Sequence, residues 1–194
     1  MLKAYKYRIY PTEKQQELLT QQFGIGRFVY NWVLSEKRKE YATFKIWNEN
    51  QVGDKPKYNS AFDYNKVLTT LKKELTWISE AHSQTIQQEI AHLFHAYERF
   101  YVKVKERKAK KQNLTNKKGN LLDFPKFKSR KDRQSLSYPQ SVKVNFESSC
   151  VQIPKLGKVL CVFHREFTGT IKTTTLSKTA MSPKFDSALI DVRC

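Results

Sequence analysis

Five cations, Lys126, Lys128, Arg130, Lys131 and Arg133, fall within eight positions, with Phe124, Phe127 and Tyr138 threaded among them. Charge at this density neutralises phosphates, and flat rings between the cations can stack on unpaired bases. Pro125 and Pro139 bracket the stretch and argue against a long helix. A second basic run contains Lys103, Lys105, Arg107, Lys108, Lys110 and Lys111. Asn65, Ser83, Gln84 and Gln87 lie near helix starts, from which polar side chains can reach base edges; glutamine suits adenine. Plain solvated surface is the alternative reading for each of these groups.

Other chemistries find little support. Glu89, His92 and His95 share one helix, but the HExxH pairing and a fourth ligand are lacking, so both histidines read as structural or surface residues. Carboxylates are scattered, no glycine-rich loop ends in Lys-Ser/Thr, and no nucleophile elbow surrounds any serine. We therefore assign no catalytic residue, no metal site and no cofactor to the sequence.

Composition favours the same partner. The 194 residues carry 36 Lys and Arg against 18 Asp and Glu, a formal charge of +18, with 39% hydrophobic residues. That is enough apolar material to fold, and the charge excess repels itself unless a polyanion lies against it. Nucleic acid is the expected partner, ahead of an acidic membrane; no small-molecule substrate is indicated. No membrane-length apolar run and no signal-peptide core occur, and Cys150, Cys161 and Cys194 form no CxxC pair, which suits a reducing, cytoplasmic setting.

The elements that position these groups can be read in order. Residues 2–10 alternate as a half-buried strand, with Tyr5, Tyr7 and Ile9 on one face and Lys6 and Arg8 on the other. Thr12 and Gln15 form a capping box for a helix that Gly24-Ile25-Gly26 is expected to break; a second helix from Arg27 then completes a helix-turn-helix outline. After a loop over 48–59, Ser60 caps a third helix with Val67, Leu68, Leu71 and Leu75 inward. The fourth starts near Ser79 or Glu80 and buries Ile86, Ile90, Leu93, Tyr97, Phe100 and Val104. Residues 112–120 read as a polar hinge. Beyond the basic stretch the period changes to two, with strands expected at 142–146, 151–153, 158–163, 170–176 and 185–192. The expected class is α+β: a small β-barrel whose first strand is residues 1–11, with a helical insert over 12–120 and the remaining strands over 121–194. The cluster Lys103 to Lys111, the cluster Lys126 to Arg133 and the strand cations Lys143, Lys155, Lys158, Arg165 and Lys172 are all expected at the junction of helices and barrel.

Several stretches together resemble one family. LKAYKYRIYPTEKQQELL followed by FGIGRFVYNWVL resembles the N-terminus of the transposon-encoded TnpB/OrfB proteins, often described as a helix-turn-helix domain. WISEAHSQTIQQEIAHLFHAYERFY resembles their long helix; FPKFKSRKDRQSLSYPQ and IPKLGKVLCVFHREFTGTIKTTTLSKT resemble their barrel segments. The resemblance implies an RNA-guided DNA endonuclease of insertion sequences, in which a wedge barrel and a helical recognition insert hold guide RNA and read a short duplex motif. By the family's pattern Asn65, Ser83, Gln84 and Gln87 would meet that duplex. The family's RuvC-like nuclease, with divalent metal, and its zinc element would lie beyond residue 194. Similarity fades after Thr179, and Asp191 aligns with the end of its strand rather than with the first catalytic aspartate. The implied protein is a truncated, non-cleaving nucleic-acid-binding lobe with double-stranded DNA and guide RNA as partners. A free-standing DNA-binding regulator and a decayed transposon remnant are the alternatives.

Overall fold

The computed structural model describes residues 3–51, 53–116, 118–178 and 188–194. Strand β1 (Ala4–Tyr10) leads into helix α1 (Glu13–Asn50); α2 (Ala61–Glu74), a short 3-10 turn (Thr76–Glu80) and α3 (Ser83–Ala109) follow. Six strands complete the chain: β2 (Ser135–Tyr138), β3 (Lys143–Asn145), β4 (Cys150–Ile153), β5 (Gly157–Val162), β6 (Thr173–Lys178) and β7 (Ala188–Arg193). Leu2 and residues 185–187, assigned above to strands, lie outside the described residues.

The first strand does not stand alone. β1 is central in a seven-stranded antiparallel sheet of order β2-β6-β7-β1-β5-β4-β3. Tyr7 and Ile9 project into a core with Leu136, Tyr138, Val151, Ile153, Val159, Cys161, Leu176, Ile190 and Val192. The sheet is open, and the closed barrel expected from the strand spacing is not formed. Its two edges, β2 and β3, are nonetheless joined by only residues 139–142. Five Cα steps reach at most about 19 Å. Seven strands laid flat would hold their edges roughly 29 Å apart. The sheet therefore curls until its edges approach. Pro139 offers no N–H and Ser141 turns with φ 70°, so the connection bends instead of continuing a ladder that would close the ring.

The break expected at Gly24–Gly26 is also absent: α1 runs unbroken for 38 residues. A Cβ on Gly26 would lie 2.8 Å from Leu136 Cδ2 and 3.4 Å from Glu89 Cγ. Gly26 thus serves close approach of α1 to β2 and α3, not a turn. Thr12 begins the helix as expected, its N–H donating to Gln15 Oε1 at 3.0 Å. Leu19 and Phe23 belong to the sheet core, whereas Ile25, Val29, Val33 and Leu34 pack with Leu68, Ile78, Ile86, Ile90 and Leu93 in a second core. One helix therefore joins both cores.

Ser60 and Asp63 start α2 reciprocally: Ser60 N–H donates to Asp63 Oδ2 at 2.9 Å, and Asp63 N–H to Ser60 Oγ at 3.3 Å. Leu68 is buried and Leu71 and Leu75 are packed against the core, but Val67, expected inward, is 49% exposed. Residues 112–120 are not a free hinge. Thr115 bridges Leu121, and Asn116 Oδ1 accepts the N–H groups of Lys118 and Asn120, each at 3.0 Å.

Candidate nucleic-acid interface

The basic stretch expected to be a loop is a strap laid in the groove between α1 and α3. Asn31 grips its backbone at both ends of one residue: Nδ2 donates to Lys128 O at 3.0 Å and Oδ1 accepts Lys128 N–H at 2.8 Å. Arg27 Nη1 donates to Gln134 Oε1 at 3.0 Å, and Gln134 Nε2 donates to the carbonyls of Ser129 and Asp132 at 3.0 and 2.7 Å. Successive strap residues meet Arg38, then Asn31, then Arg27, so the strap runs back along α1 towards the sheet. Its end, Ser135–Tyr138, is strand β2.

This geometry sorts the cations. Lys128 is half-buried over an internal partner: Nζ lies 2.6 Å from Glu89 Oε2, with Glu89 only 1% exposed, and 4.2 Å from the Tyr30 ring centroid. Removing one partner of such a pair leaves an uncompensated buried charge. Lys103 and Arg107 both pair with Asp123, at the head of the strap, and hold that carboxyl below the usual carboxylate range. Lys105, Lys126, Arg130, Lys131 and Arg133 make no ion pair among the described residues. Phe127 is 47% exposed, beneath Arg38 at 4.5 Å. Tyr138 must be withdrawn as a base-stacking candidate. It is fully buried, its hydroxyl donates to Gln22 Oε1 at 2.8 Å, and burial pushes its pKa up.

The polar candidates cluster elsewhere. Asn65 sits in the second turn of α2; Ser83, Gln84 and Gln87 begin α3. Ser83 Oγ accepts Lys72 Nζ at 3.1 Å. Asn65 Oδ1 and Gln84 Oε1 are shielded acceptors without a hydrogen-bond partner among the described residues. His82, just before α3, is held below the ordinary imidazole range by burial and by Lys155 and Lys72. The start of α3 docks on the sheet, His82 facing Tyr138 at 6.1 Å between ring centroids. Lys103–Arg107 occupy the other end, about 30 Å or more along the helix. The basic clusters are therefore not all at the junction of helices and sheet, because α3 carries one of them outward.

Sheet register gathers a further row, which takes in the strand cations Lys143 and Lys158. Arg8 aligns with Leu189 and Val162; Lys6 aligns with Asp191, which aligns with Thr175; Ala4 aligns with Arg193, which aligns with Thr173. Lys143 aligns with Gln152 and Gln152 with Lys158. Aligned residues share a face. All these positions lie opposite the buried Tyr7, Ile9 and Ile190, so Lys6, Arg8, Lys143, Lys158 and Arg193 share the outer face, where each is exposed. None makes an ion pair among the described residues. Asp191 is the only carboxylate among these aligned positions. Arg133 Nη2 approaches Ser177 Oγ at 3.5 Å, which links the strap to this face. The alternation of Lys6 and Arg8 against Tyr5, Tyr7 and Ile9 signals two of the five cations, and the later strand pattern signals Lys143 and Lys158. Asn31, Arg27 and Gln134, which position the strap, carry no comparable signal.

The histidine and cysteine candidates take no metal arrangement. Glu89 Oε1 faces His92 Nδ1 at 3.5 Å, and His95 pairs with Glu98 at 2.9 Å. No group of three or more His, Cys, Asp or Glu suited to a metal ion occurs among the described residues. The three thiols are free, and burial pushes Cys161 up to about 12. No helix among the described residues is long and apolar enough to cross a membrane.

Residues 1–45 match a family model, OrfB of IS605 type, described as a helix-turn-helix domain. Here that segment is β1 and most of α1. A protein of Escherichia coli (strain K12), assigned by name as an RNA-guided DNA endonuclease, InsQ, is 29% identical over 182 residues, covering 91% of this chain and 38% of that protein. A Streptomyces pristinaespiralis protein assigned the same activity by name is 31% identical over 142 residues, covering 72% of this chain and 28% of its own length. The chain thus spans about a third of the curated relatives it matches. The family-model match and these relatives support placing the chain with the TnpB/OrfB family of insertion-sequence transposon proteins.

Proposed function

We propose that this chain is a nucleic-acid-binding lobe of an RNA-guided DNA endonuclease of the TnpB/OrfB type. The observation that carries the proposal is the outer sheet face, whose unpaired Lys6, Arg8, Lys143, Lys158 and Arg193 continue through Arg133 into the strap cations Lys126, Arg130 and Lys131. A surface of this kind grips phosphate backbones with little regard to sequence, which is what holding a structured guide RNA requires. Asn65, Ser83, Gln84 and Gln87 are the candidates for reading a target-adjacent duplex, since amides and a hydroxyl suit base edges. Residues 12–120 then act as the recognition insert and the curled sheet as the wedge. Cleavage is assigned to none of these residues.

The test is binding of labelled structured RNA and duplex DNA across a salt series, alone and together. Affinity should fall steeply with salt. Lys6→Gln, Arg8→Gln and Arg193→Gln together should weaken RNA binding, while Gln84→Ala with Gln87→Ala should flatten discrimination among duplexes. Sequence-specific duplex binding that persists without RNA would favour the free-standing regulator instead. Guide-dependent cutting with Mg²⁺ by this chain would refute the non-cleaving assignment.

A further inference from the structure

At the outer end of the helical core, far from the sheet, α1, α3 and residues 114–124 enclose a cleft of about 600 Å³. Its walls are aromatic: Tyr41, Tyr58, Phe94, Tyr97, Tyr101 and Phe124. The volume lies within the range of roughly 300–1,000 Å³ usual for small-ligand sites. Rings this exposed at one place call for an occupant: Tyr41 is 61% and Tyr101 56% exposed. Tyr97 packs edge-on against Phe124, with 5.7 Å between centroids, and Phe100 does the same at 5.2 Å, so the floor is rigid. The cleft lies about 27 Å along α3 from Ser83, so it is separate from the polar candidates there.

The rim decides which occupant. Lys37, Arg38 and Lys108 line the cleft, against Glu98 as the only carboxylate lining it. Lys37 is committed to Glu40 at 2.7 Å and lies 4.8 Å from the Tyr58 ring centroid. Arg38 and Lys108 make no ion pair among the described residues; Lys105 lies on the same exposed end of α3, and Lys110 and Lys111 follow just beyond it. Burial pushes the Tyr97 phenol up to about 12. Stacking faces, neutral phenols and unpaired cations at the mouth together match an unpaired nucleotide: a base against the rings and its phosphate at the rim. An apolar protein segment would gain nothing from the cations.

We propose that this cleft captures an unpaired nucleotide of the bound nucleic acid. The proposal rests on the nucleic-acid-binding reading above and adds a single-strand subsite to it. The probe is a single strand of about ten nucleotides carrying a central 2-aminopurine, prepared as RNA and as DNA, with an uninterrupted duplex as control. The intact chain should quench the 2-aminopurine saturably. Tyr41→Ala with Tyr101→Ala should lower single-strand affinity about tenfold or more and abolish the quench, while duplex binding stays unchanged. Both rings are exposed, so the fold should survive; the matching pair of Tyr→Phe changes should restore binding. The stronger arm, RNA or DNA, identifies the source of the nucleotide. Unchanged single-strand affinity in the alanine pair, or equal affinity for a strand abasic at the probe position, overturns the proposal. Altered self-association in the alanine pair with intact nucleic-acid binding overturns it in favour of an interface between copies. Failure of the intact chain to quench the single strand, with duplex binding retained, sinks the cleft alone. Failure of the intact chain to bind any nucleic acid sinks both readings.

Discussion

Alanine at Gly24 and at Gly26 should have opposite effects, although the glycines are two residues apart. Both lie inside α1, and neither has positive φ. Glycine in a helix interior costs about 1 kcal/mol relative to alanine. At Gly24 the nearest atom to a new Cβ is Arg27 Nη2 at 3.9 Å, so nothing offsets the gain. We expect Gly24→Ala to stabilise by about 0.5–1 kcal/mol. At Gly26 the new Cβ meets Leu136 Cδ2 at 2.8 Å. Leu136 is itself 2% exposed within the sheet core, so its methyl has little room to retreat. Overpacking of this kind costs roughly 1–3 kcal/mol, which cancels or exceeds the helix gain. The two variants should therefore differ by about 1–3 kcal/mol. Urea unfolding followed by circular dichroism measures this, with unchanged m-values as the check that only stability has moved. A turn at these glycines would make alanine unfavourable at the left-handed one. Loss of stability in Gly24→Ala, or equal shifts in both variants, would refute the continuous helix.

Three further outcomes follow from the site. Lys128→Met should destabilise by about 3 kcal/mol, because it strands the buried Glu89 carboxylate; Arg130→Ala and Lys131→Ala should leave unfolding unchanged and weaken nucleic-acid binding, as titration calorimetry in low salt would report. Glu40 is pulled up by burial but held below the usual range by hydrogen bonds from Lys37, Tyr64 and Asn59. Its contribution is present above the ordinary carboxylate pKa and lost as pH falls through the lowered folded value. Tyr64→Phe, which deletes a donor at 2.6 Å, should cost about 1.5–3 kcal/mol at neutral pH in urea unfolding and reduce that acid sensitivity. His82 has a pKa below its ordinary 6.5, through burial first and then Lys155 and Lys72. Between the folded pKa and 6.5 the unfolded state binds more protons, so this residue makes stability rise with pH in that window and adds nothing above it. His82→Gln should flatten the dependence of melting temperature on pH there.

Much of the fold was legible because its signals are local. The Thr12–Gln15 and Ser60–Asp63 caps, the seam of Ile86, Ile90 and Leu93, and the alternation of Tyr7 and Ile9 each follow from side-chain chemistry over a few residues. The misread features depend on partners distant in sequence. Gly26 looks like punctuation until Leu136 and Glu89 are beside it. Ser135–Tyr138 looks like part of a basic loop until β6 pairs with it. Lys128 cannot be told from Lys126 or Lys131 by type; only Glu89, 39 residues away, separates a part-buried ion pair from free surface charge. The outer sheet row needs register, which joins β1 near the start of the chain to β7 near residue 190.

Exposed, unpaired cations of the outer sheet face and strap are the groups expected to grip phosphates. The direct measurement is the salt dependence of structured-RNA affinity for the intact chain and for the combined variant Lys6→Gln, Arg8→Gln, Lys126→Gln, Lys131→Gln, Arg193→Gln. Each phosphate left without its cation should reduce the slope of log affinity against log salt by about 0.7–0.9. The predicted result is a shallower slope and weaker binding with unfolding unchanged. An identical slope in both proteins would contradict the account.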